Sequence, residues 1–303
     1  MARKTRPTLA HWFQFLAYRC VEFFLGILSV DTTFSIGELI GRLIYRLPLA
    51  HRSIVLRNLR LAYRNEMSEE EIGTLAERVY ELTGANLLSS IRIPSLSDQQ
   101  IKDLVQFEHL NLLTEASVGR KGIVLLVPHM GNWELLAQAM GLIFPEIDPP
   151  IQGGTHYRPL NNPAMNRLIE RRRKRRGTKL FSKGSSLHTL TAFLREGNLL
   201  AILADQRVGP RGETCNFFGL PTDCSPLPAL LAKRTGATIL ALHCETTGPA
   251  QWKIVISTVR RPDTASCMQT LEAAWRSSPQ DVFWFQDRWR YQISKGIISA
   301  PLD

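Results

Sequence analysis

Apolar and polar positions in the first third of the chain alternate with the spacing of amphipathic helices. Residues 34–47 and 51–65 each place apolar side chains on one side of a predicted helix, and the second carries arginines on its polar side. Ser68 is followed by three glutamates, a typical helix start, and this helix is predicted to end before Pro94. Residues 95–118 continue the helical pattern. We therefore predict that this part of the chain is helical.

The pattern changes at Lys121. The segment "GIVLLVP" (122–128) is a short unbroken apolar run, typical of a buried parallel strand, and "LLAILAD" (199–205) is a second one. Further strands are predicted at 238–245 and 252–260 and helices at 132–144, 162–177, 185–198, 226–236 and, for the most part, 264–290. Strands that alternate with helices predict an α/β fold, with a mixed central sheet flanked by helices.

The same change of pattern suggests how the chain is organised. We predict an N-terminal membrane-associated helix in residues 1–30, a helical region at 31–120 packed on the core, and an α/β core at 121–303. No Pro-, Gly- or Ser-rich break separates these parts, so they are expected to form one continuous domain.

The N-terminal segment is apolar, aromatic and basic. His11, Gln14, Arg19 and Glu22 interrupt it, and its longest clean apolar run, "FFLGILSV", is too short to span a bilayer. Aromatic residues and arginines together are typical of the boundary between water and lipid. We expect a helix that associates with a membrane, whether it lies on the surface or spans it; the alternative is an ordinary buried helix.

Composition and charge narrow the possible partners. Of 303 residues, 44% are hydrophobic, which excludes a wholly disordered chain, and 37 Lys and Arg oppose 27 Asp and Glu for a net charge of +10. Such a surface attracts nucleic acid, an anionic membrane, or an acidic substrate or carrier protein. The run "RRRKRR" (171–176) lacks an aromatic platform, so we favour lipid headgroups, a phosphorylated sugar or an acidic carrier over nucleic acid. A solvated helix face is the simplest alternative.

Cysteine usage points to a reducing compartment. The five cysteines include no C-x-x-C pair and are odd in number. A disulfide framework and a zinc site are therefore not expected.

The segment "PHMGNWE" (128–134) carries the main candidate for chemistry. His129 follows the first predicted strand, at the sheet edge where α/β proteins bind ligands, and Glu134 falls in the first turn of the next helix. If the chain bends at Gly131, the carboxylate reaches the imidazole, fixes its tautomer and makes it a general base. The alternative is that His129 merely ends the strand and Glu134 stabilises a helix N-terminus.

Five blocks of the sequence, taken together, indicate a protein family more specifically than the pair of His129 and Glu134 does. They are "NLRLAY", "PHMGNWE", "YRPLNNPAMNRLIERRR", "LREGNLLAILADQR" and "FFGLPTDCSPLPALLAKRTGA". In this order, from about residue 40 to 295, the chain resembles the bacterial lipid A late acyltransferases, the lauroyl/myristoyl acyltransferase family. These are membrane-bound relatives of the glycerolipid acyltransferases, which use an H-x-x-x-x-D/E motif.

The resemblance implies a glycerolipid-acyltransferase-like core and a role for each matching residue. His129 would be the general base and Glu134 its partner. Arg158, Asn132 and Asp205 would bind substrate or stabilise the oxyanion. Considered by themselves, Arg158 is also compatible with a surface ion pair and Asp205 with a cap on the loop after its strand.

Three positions depart from the family pattern. Gln286 stands where many members have histidine, Arg207 where an acidic residue often follows the glutamine, and Ser225 where glycine is common. None of the three replaces the proposed base or its partner. They bear on which lipid is accepted and which chain is transferred.

The function implied is transfer of a fatty acyl chain to a hydroxyl of a lipid A precursor, an acylated glucosamine disaccharide. The donor would be an acyl carrier protein thioester, or acyl-CoA, at the cytoplasmic face of the inner membrane, with no metal or redox cofactor. One alternative is another lipid acceptor: a glycerolipid, a phosphoinositide glycolipid or an aminolipid. Others are a non-catalytic membrane-binding protein on the same scaffold, or a nucleic-acid-binding protein.

Overall fold

The computed structural model describes residues 7–208 and 212–300. Arg3, Lys4 and Arg6, which belong to the predicted membrane-associated segment, lie outside the described residues.

Four helices open the chain, as the apolar spacing predicts. They are α1 (Leu9–Ile27), α2 (Val30–Tyr45), α3 (Ala50–Ala62) and α4 (Glu69–Arg92). The start of α4 is fixed by a capping box: the hydroxyl of Ser68 accepts from the N–H of Glu71, whose carboxylate accepts from the N–H of Ser68.

Glycines let α2 and α4 approach each other closely. A Cβ on Gly41 would lie 2.1 Å from the carbonyl oxygen of Tyr80, and one on Gly84 would lie 2.3 Å from that of Gly37. Larger side chains at these positions would force the two backbones apart. This contact fixes α2 against α4, and α4 in turn packs beside the sheet.

The segment 95–118 corrects the expectation of a continuous helix. It forms α5 (Asp98–Asp103), β1 (Val105–Glu108) and α6 (Asn111–Val118). β1 pairs along its whole length with a strand formed nearly 150 residues later. A four-residue strand between two short helices is decided by that distant partner, which local spacing does not reveal.

The remaining elements alternate largely as predicted. In chain order they are β2 (Ile123–Val127), α7 (Trp133–Ile143), β3 (Gly153–Tyr157), α8 (Pro163–Lys174), β4 (Lys179–Ser182), α9 (Leu187–Arg195), β5 (Leu199–Leu203), β6 (Glu213–Phe217), β7 (Leu220–Cys224), α10 (Leu227–Thr235), β8 (Thr238–Gly248), β9 (Gln251–Thr258), α11 (Thr264–Ser277) and α12 (Arg290–Ser294). The sequence pattern did not indicate β3, β4, β6 or β7, because these strands are short and rich in polar residues or glycine.

The central sheet has seven strands in the order β1-β9-β8-β2-β5-β3-β4. β8, β2, β5, β3 and β4 run in one direction, whereas β9 and β1 run in the other. β6 and β7 form a separate antiparallel hairpin. The predicted α/β fold with a mixed central sheet is therefore confirmed.

Both faces of the sheet are covered, which explains the unbroken apolar character of β2. Val124 and Leu126 contribute to the core beneath α10 and α11, while Leu125 and Val127 face the core formed with α7. β2, β5 and β3 are neighbours and parallel, so their carboxyl ends meet at one edge. The chain segments that follow these strands are brought together there.

The end of the chain corrects a second expectation. The helix α11 ends at Ser277, and residues 278–289 then run without an α-helix before the short α12. Part of this C-terminal segment pairs with the loop after β2: Met130 and Val282 form an antiparallel bridge. Backbone groups committed to this pairing are not available for helix hydrogen bonds.

The first two helices expose many large apolar side chains. They are Leu9, Trp12, Phe13, Leu16, Val21, Phe23, Phe24 and Ile27 on α1, and Leu39, Ile40, Leu43 and Ile44 on α2. Exposed apolar surface of this extent marks an interaction site. Within the described residues, none of the helices combines the length and the apolar character needed to cross a bilayer.

Candidate active site

His129 lies two residues beyond the end of β2, at the carboxyl edge of the sheet. Gly131 makes the turn into α7 with φ = +56°, and a Cβ there would lie 2.3 Å from the carbonyl oxygen of Cys244. Both the left-handed conformation and the lack of space require glycine. The sequence-predicted bend at Gly131 is present.

Asp205 is the carboxylate that contacts His129. One carboxylate oxygen lies 2.8 Å from Nδ1 of the His129 ring, and the other accepts the backbone N–H of His129 at 2.6 Å. Asp205 follows β5, which is paired with β2, and is 3% exposed. The two contacts hold both the backbone and the ring of His129 from the neighbouring strand.

This pairing leaves the other ring nitrogen free to act. A carboxylate on Nδ1 favours the tautomer with hydrogen at Nδ1, so Nε2 carries the lone pair. The side-chain amide nitrogen of Gln206 lies 3.4 Å from Nε2, at the long limit of a hydrogen bond. The His129 side chain is 20% exposed, so a substrate hydroxyl can reach Nε2.

His129 and Asp205 shift each other's pKa in the directions that favour His129 as a base. Burial lowers the pKa of His129, but the charge and the hydrogen bond of Asp205 outweigh burial and raise that pKa above its ordinary value. Burial would raise the pKa of Asp205, yet its contacts with His129 lower it. Asp205 therefore stays ionised and increases the basicity of Nε2.

Glu134 is not the partner of the imidazole, which corrects the geometry expected from the sequence. Its carboxylate pairs with the guanidinium of Arg173 on α8. The reason is local: the side chain of Asn132 caps α7 by accepting the N–H of Leu135 at 3.0 Å, so α7 begins at Trp133. Glu134 in its first turn is directed toward α8.

The site opens into a cavity of about 1050 Å³. Its lining includes apolar side chains of β2, β5 and α7, among them Leu125, Met140 and Leu203. It also includes four cationic side chains, Arg158, Arg173, Lys183 and Arg207. The combination suits a substrate with a long apolar chain and an anionic or strongly polar head.

Arg158 lies immediately beyond β3, so it shares the carboxyl edge with His129 and Asp205. It lines both the large cavity and an adjoining one of about 290 Å³, and within residues 7–208 and 212–300 it forms no ion pair. Its charge is therefore available to a substrate. Asn132, by contrast, uses its carbonyl oxygen for the cap and is 2% exposed.

Half of the basic run of α8 is committed to ion pairs. Arg172 pairs with Glu22 of α1, Arg173 with Glu134, and Arg176 with Asp98 of α5 at 2.7 Å. These contacts join α8, and the turn that follows it, to three other helices. They leave less positive charge for phosphate groups than the sequence alone suggests.

The C-terminal segment holds the loop that carries His129. The carbonyl oxygen of Asp281 accepts the N–H of Gly131 at 2.8 Å, and the N–H of Phe283 donates to the carbonyl of His129 at 3.0 Å. The Asp281 carboxylate is itself fixed, since it accepts the N–H of Thr246 at 2.8 Å. No pattern in the sequence indicates this support.

Comparison with known proteins agrees with the geometry. Residues 2–291 match the model of the family described as bacterial lipid A biosynthesis acyltransferase. The chain belongs to this family. The resemblance inferred from the five sequence blocks is therefore confirmed.

The relatives that this chain resembles are named for different lipids. A lipid A biosynthesis palmitoleoyltransferase of Escherichia coli is 24% identical over 209 residues, 68% of this chain and 65% of the relative. A lipid A biosynthesis lauroyltransferase of the same organism is 25% identical over 61% of this chain and 57% of the relative. A phosphatidylinositol mannoside acyltransferase of Mycobacterium tuberculosis is 27% identical over 52% and 48%. The chain thus spans less than two thirds of the length of these relatives.

Sequence reasoning placed His129, Arg158 and Asp205 in the site, and the structure brings all three to one edge of the sheet. It assigned the orienting contact to the wrong carboxylate. One feature of the sequence could have identified Asp205 as the partner of His129. Each of the two residues lies two positions after a buried strand, His129 after β2 and Asp205 after β5. Adjacent parallel strands bring such positions together.

Proposed function

We propose that this protein is a membrane-associated O-acyltransferase that uses His129 as its general base. Nε2 of His129 takes the proton of an acceptor hydroxyl while Asp205 stabilises the resulting imidazolium. The oxygen attacks the thioester carbonyl of an acyl donor, and the thiolate leaves with a proton returned from His129. Arg158 is placed to stabilise negative charge on the carbonyl oxygen or on a phosphate of the acceptor.

One observation carries the proposal: the His129–Asp205 pair opens into a cavity lined by both apolar and cationic side chains. A pair of this kind activates a hydroxyl. The apolar side chains suit a fatty acyl chain, and the cationic side chains suit a phosphorylated sugar or the phosphate of a carrier-bound thioester. Membership of the acyltransferase family supports the same chemistry.

The acceptor we propose is a hydroxyl of a lipid A precursor, and the donor an acyl carrier protein thioester. The net charge of +10 favours both an anionic glycolipid and an acidic carrier. Gln286, Arg207 and Ser225, the three departures from the family pattern, all line the cavity. We therefore assign the choice of acceptor and acyl chain to this part of the site.

A second acceptor class has specific support. The mycobacterial relatives carry the name phosphatidylinositol mannoside acyltransferase. A mannosylated phosphoinositide also combines a hydroxyl-bearing sugar with a phosphate and acyl chains. It fits the same mixed cavity, and acyl-CoA is the alternative donor.

The proposed location is the cytoplasmic face of the inner membrane, with the exposed apolar faces of α1 and α2 at the lipid surface. Arg46, which is exposed beside α2 and forms no ion pair with the described residues, would face anionic headgroups. This arrangement would place an amphiphilic acceptor near the cavity without extracting it fully into water.

The experiment is a transfer assay with purified protein, in which acyl carrier protein thioesters and acyl-CoA of several chain lengths are each combined with a lipid A precursor or a phosphatidylinositol mannoside. Mass spectrometry identifies the product. His129→Ala should abolish transfer, whereas His188→Ala, which removes an exposed histidine of α9 outside the cavity lining, should retain most of it. Turnover in the folded His129→Ala variant, or a complete absence of product with every pair, would overturn the proposal.

A further inference from the structure

Arg288 is a fully buried cation that has no carboxylate partner among the described residues. It is 1% exposed and lies in the C-terminal segment between α11 and α12. A buried charge destabilises a protein unless specific contacts compensate it. Its contacts therefore indicate what it does.

The strongest of these contacts leads to the proposed active site. Nη1 of Arg288 donates to the backbone carbonyl oxygen of Asp205 at 2.5 Å. Within the part of the chain that the structure describes, Nη2 donates to two sulfur atoms, those of Cys224 at 3.4 Å and Met268 at 3.6 Å, and sulfur is a weak acceptor. The guanidinium also lies over the ring of Phe217, 4.9 Å from its centre.

These contacts orient the arginine from three sides. Phe217 belongs to β6, Cys224 to β7 and Met268 to α11, so the guanidinium is held by a rigid apolar surround. The carboxylates of Asp205 and of Asp223 on β7 both attract the guanidinium. Among the described residues, the Asp205 turn receives the short, charge-assisted hydrogen bond from Arg288.

We propose that Arg288 is a positioning residue that holds Asp205 against His129. Its hydrogen bond fixes the turn after β5, and its positive charge favours the ionised form of the Asp205 carboxyl. Through Asp205 it keeps the imidazole in the tautomer that leaves Nε2 as the base. The C-terminal segment then supports both halves of the pair, since Asp281 and Phe283 hold the backbone around His129.

Because this role serves the proposed base, it rests on the proposed function, but its test does not require turnover. The pKa of His129 is measured by NMR titration of the labelled imidazole in the purified full-length protein, with the signal assigned from His129→Ala. Asp205 raises the pKa of His129. If Arg288 acts through Asp205, then Arg288→Met should lower the pKa of His129 by at least half of the fall that Asp205→Asn causes.

Two comparisons separate positioning from a general contribution to folding. Arg290→Met, which removes an exposed arginine two residues away, should leave the pKa of His129 unchanged. In the Asp205→Asn background, Arg288→Met should have no further effect on that pKa. Should Arg288→Met not fold, Arg288→Leu removes the same donor with a different apolar side chain, and the same fall is expected.

An unchanged pKa of His129 in a folded Arg288→Met or Arg288→Leu protein overturns the proposal, as does an equal fall in the Asp205→Asn background. Where transfer is measured as well, Arg288→Met should lower kcat about tenfold with little change in KM. Failure to find any acyl acceptor would count against the proposed function only, because the titration reports on Arg288 without a substrate.

Discussion

Nδ1 of His129 and a carboxylate oxygen of Asp205 lie 2.8 Å apart, although 76 positions separate the two residues. The contact exists because β2 and β5 are neighbours and end at the same edge of the sheet. The nearer carboxylate in sequence, Glu134, is occupied by Arg173. The basicity of His129 is therefore expected to depend on Asp205 and not on Glu134.

Replacing Asp205 with asparagine is expected to lower kcat by about 10²- to 10⁴-fold, because the base loses the group that orients it and stabilises its protonated form. Steady-state transfer assays measure the effect, with unfolding curves to confirm that the variant is folded. Activity within a few-fold of the unmodified enzyme would show that the contact is structural.

The pH dependence of kcat should reflect the raised pKa of His129. Only the neutral imidazole accepts a proton, so activity is expected to rise with pH through a midpoint above the ordinary histidine value. In Asp205→Asn the favourable charge is lost, and the midpoint should move to lower pH. An unchanged midpoint would show that the loss of activity at low pH does not arise from protonation of His129.

Replacing Glu134 with glutamine should affect substrate binding more than the base. The variant loses the charge that holds Arg173 at the cavity, so we expect a rise in KM for the acceptor of about tenfold and an unchanged pH midpoint. Kinetics over a range of acceptor concentrations measure both quantities. A loss of kcat as large as that of Asp205→Asn would instead make Glu134 a direct partner of the reaction.

Reversing the charge of Arg207 should weaken the binding of an anionic acceptor, because Arg207 lines the cavity. Arg207→Asp is expected to raise KM for a phosphorylated acceptor by about tenfold or more. Arg234→Asp is the matched control, since it changes the net charge equally at an exposed position on α10 outside the cavity lining. Equal increases in KM in the two variants would show that the net charge of the protein, and not the position of Arg207, governs acceptor binding.

The apolar face of α1 should bind lipid directly. Serine at Phe13, Phe23 and Phe24, which are 76%, 68% and 65% exposed, is expected to reduce binding to anionic vesicles strongly while leaving the fold intact. Val118→Ser is the control, because Val118 is 69% exposed but lies on α6. Vesicle co-sedimentation measures the difference, and undiminished binding of the triple variant would contradict the proposed contact.

Two glycines in the N-terminal helices should respond in opposite ways to alanine. Gly41→Ala places a Cβ against the backbone of α4 and should reduce the free energy of unfolding by about 1–3 kcal/mol. Gly73→Ala meets no atom within 4 Å and should increase it by about 0.5–1 kcal/mol, since alanine favours helix. Chemical denaturation of the two variants checks both signs.

The sequence by itself determined the features that depend on neighbouring residues. Apolar spacing located the N-terminal helices, unbroken apolar runs located β2 and β5, and Asn132 marked the start of α7. Five ordered blocks indicated the family. Each of these signals depends on neighbouring residues, or on several sequence blocks taken together, so it can be recognised without knowledge of the fold.

Tertiary structure alone decided which charged groups meet. Asp205 reaches His129 because two parallel strands are adjacent, Glu134 is drawn to an arginine on another helix, and Arg288 is buried against the turn that carries Asp205. Pairing between distant segments also created β1 and ended the helical pattern after Ser277. A contact between residues far apart in sequence depends on strand order and packing, and no local pattern encodes either.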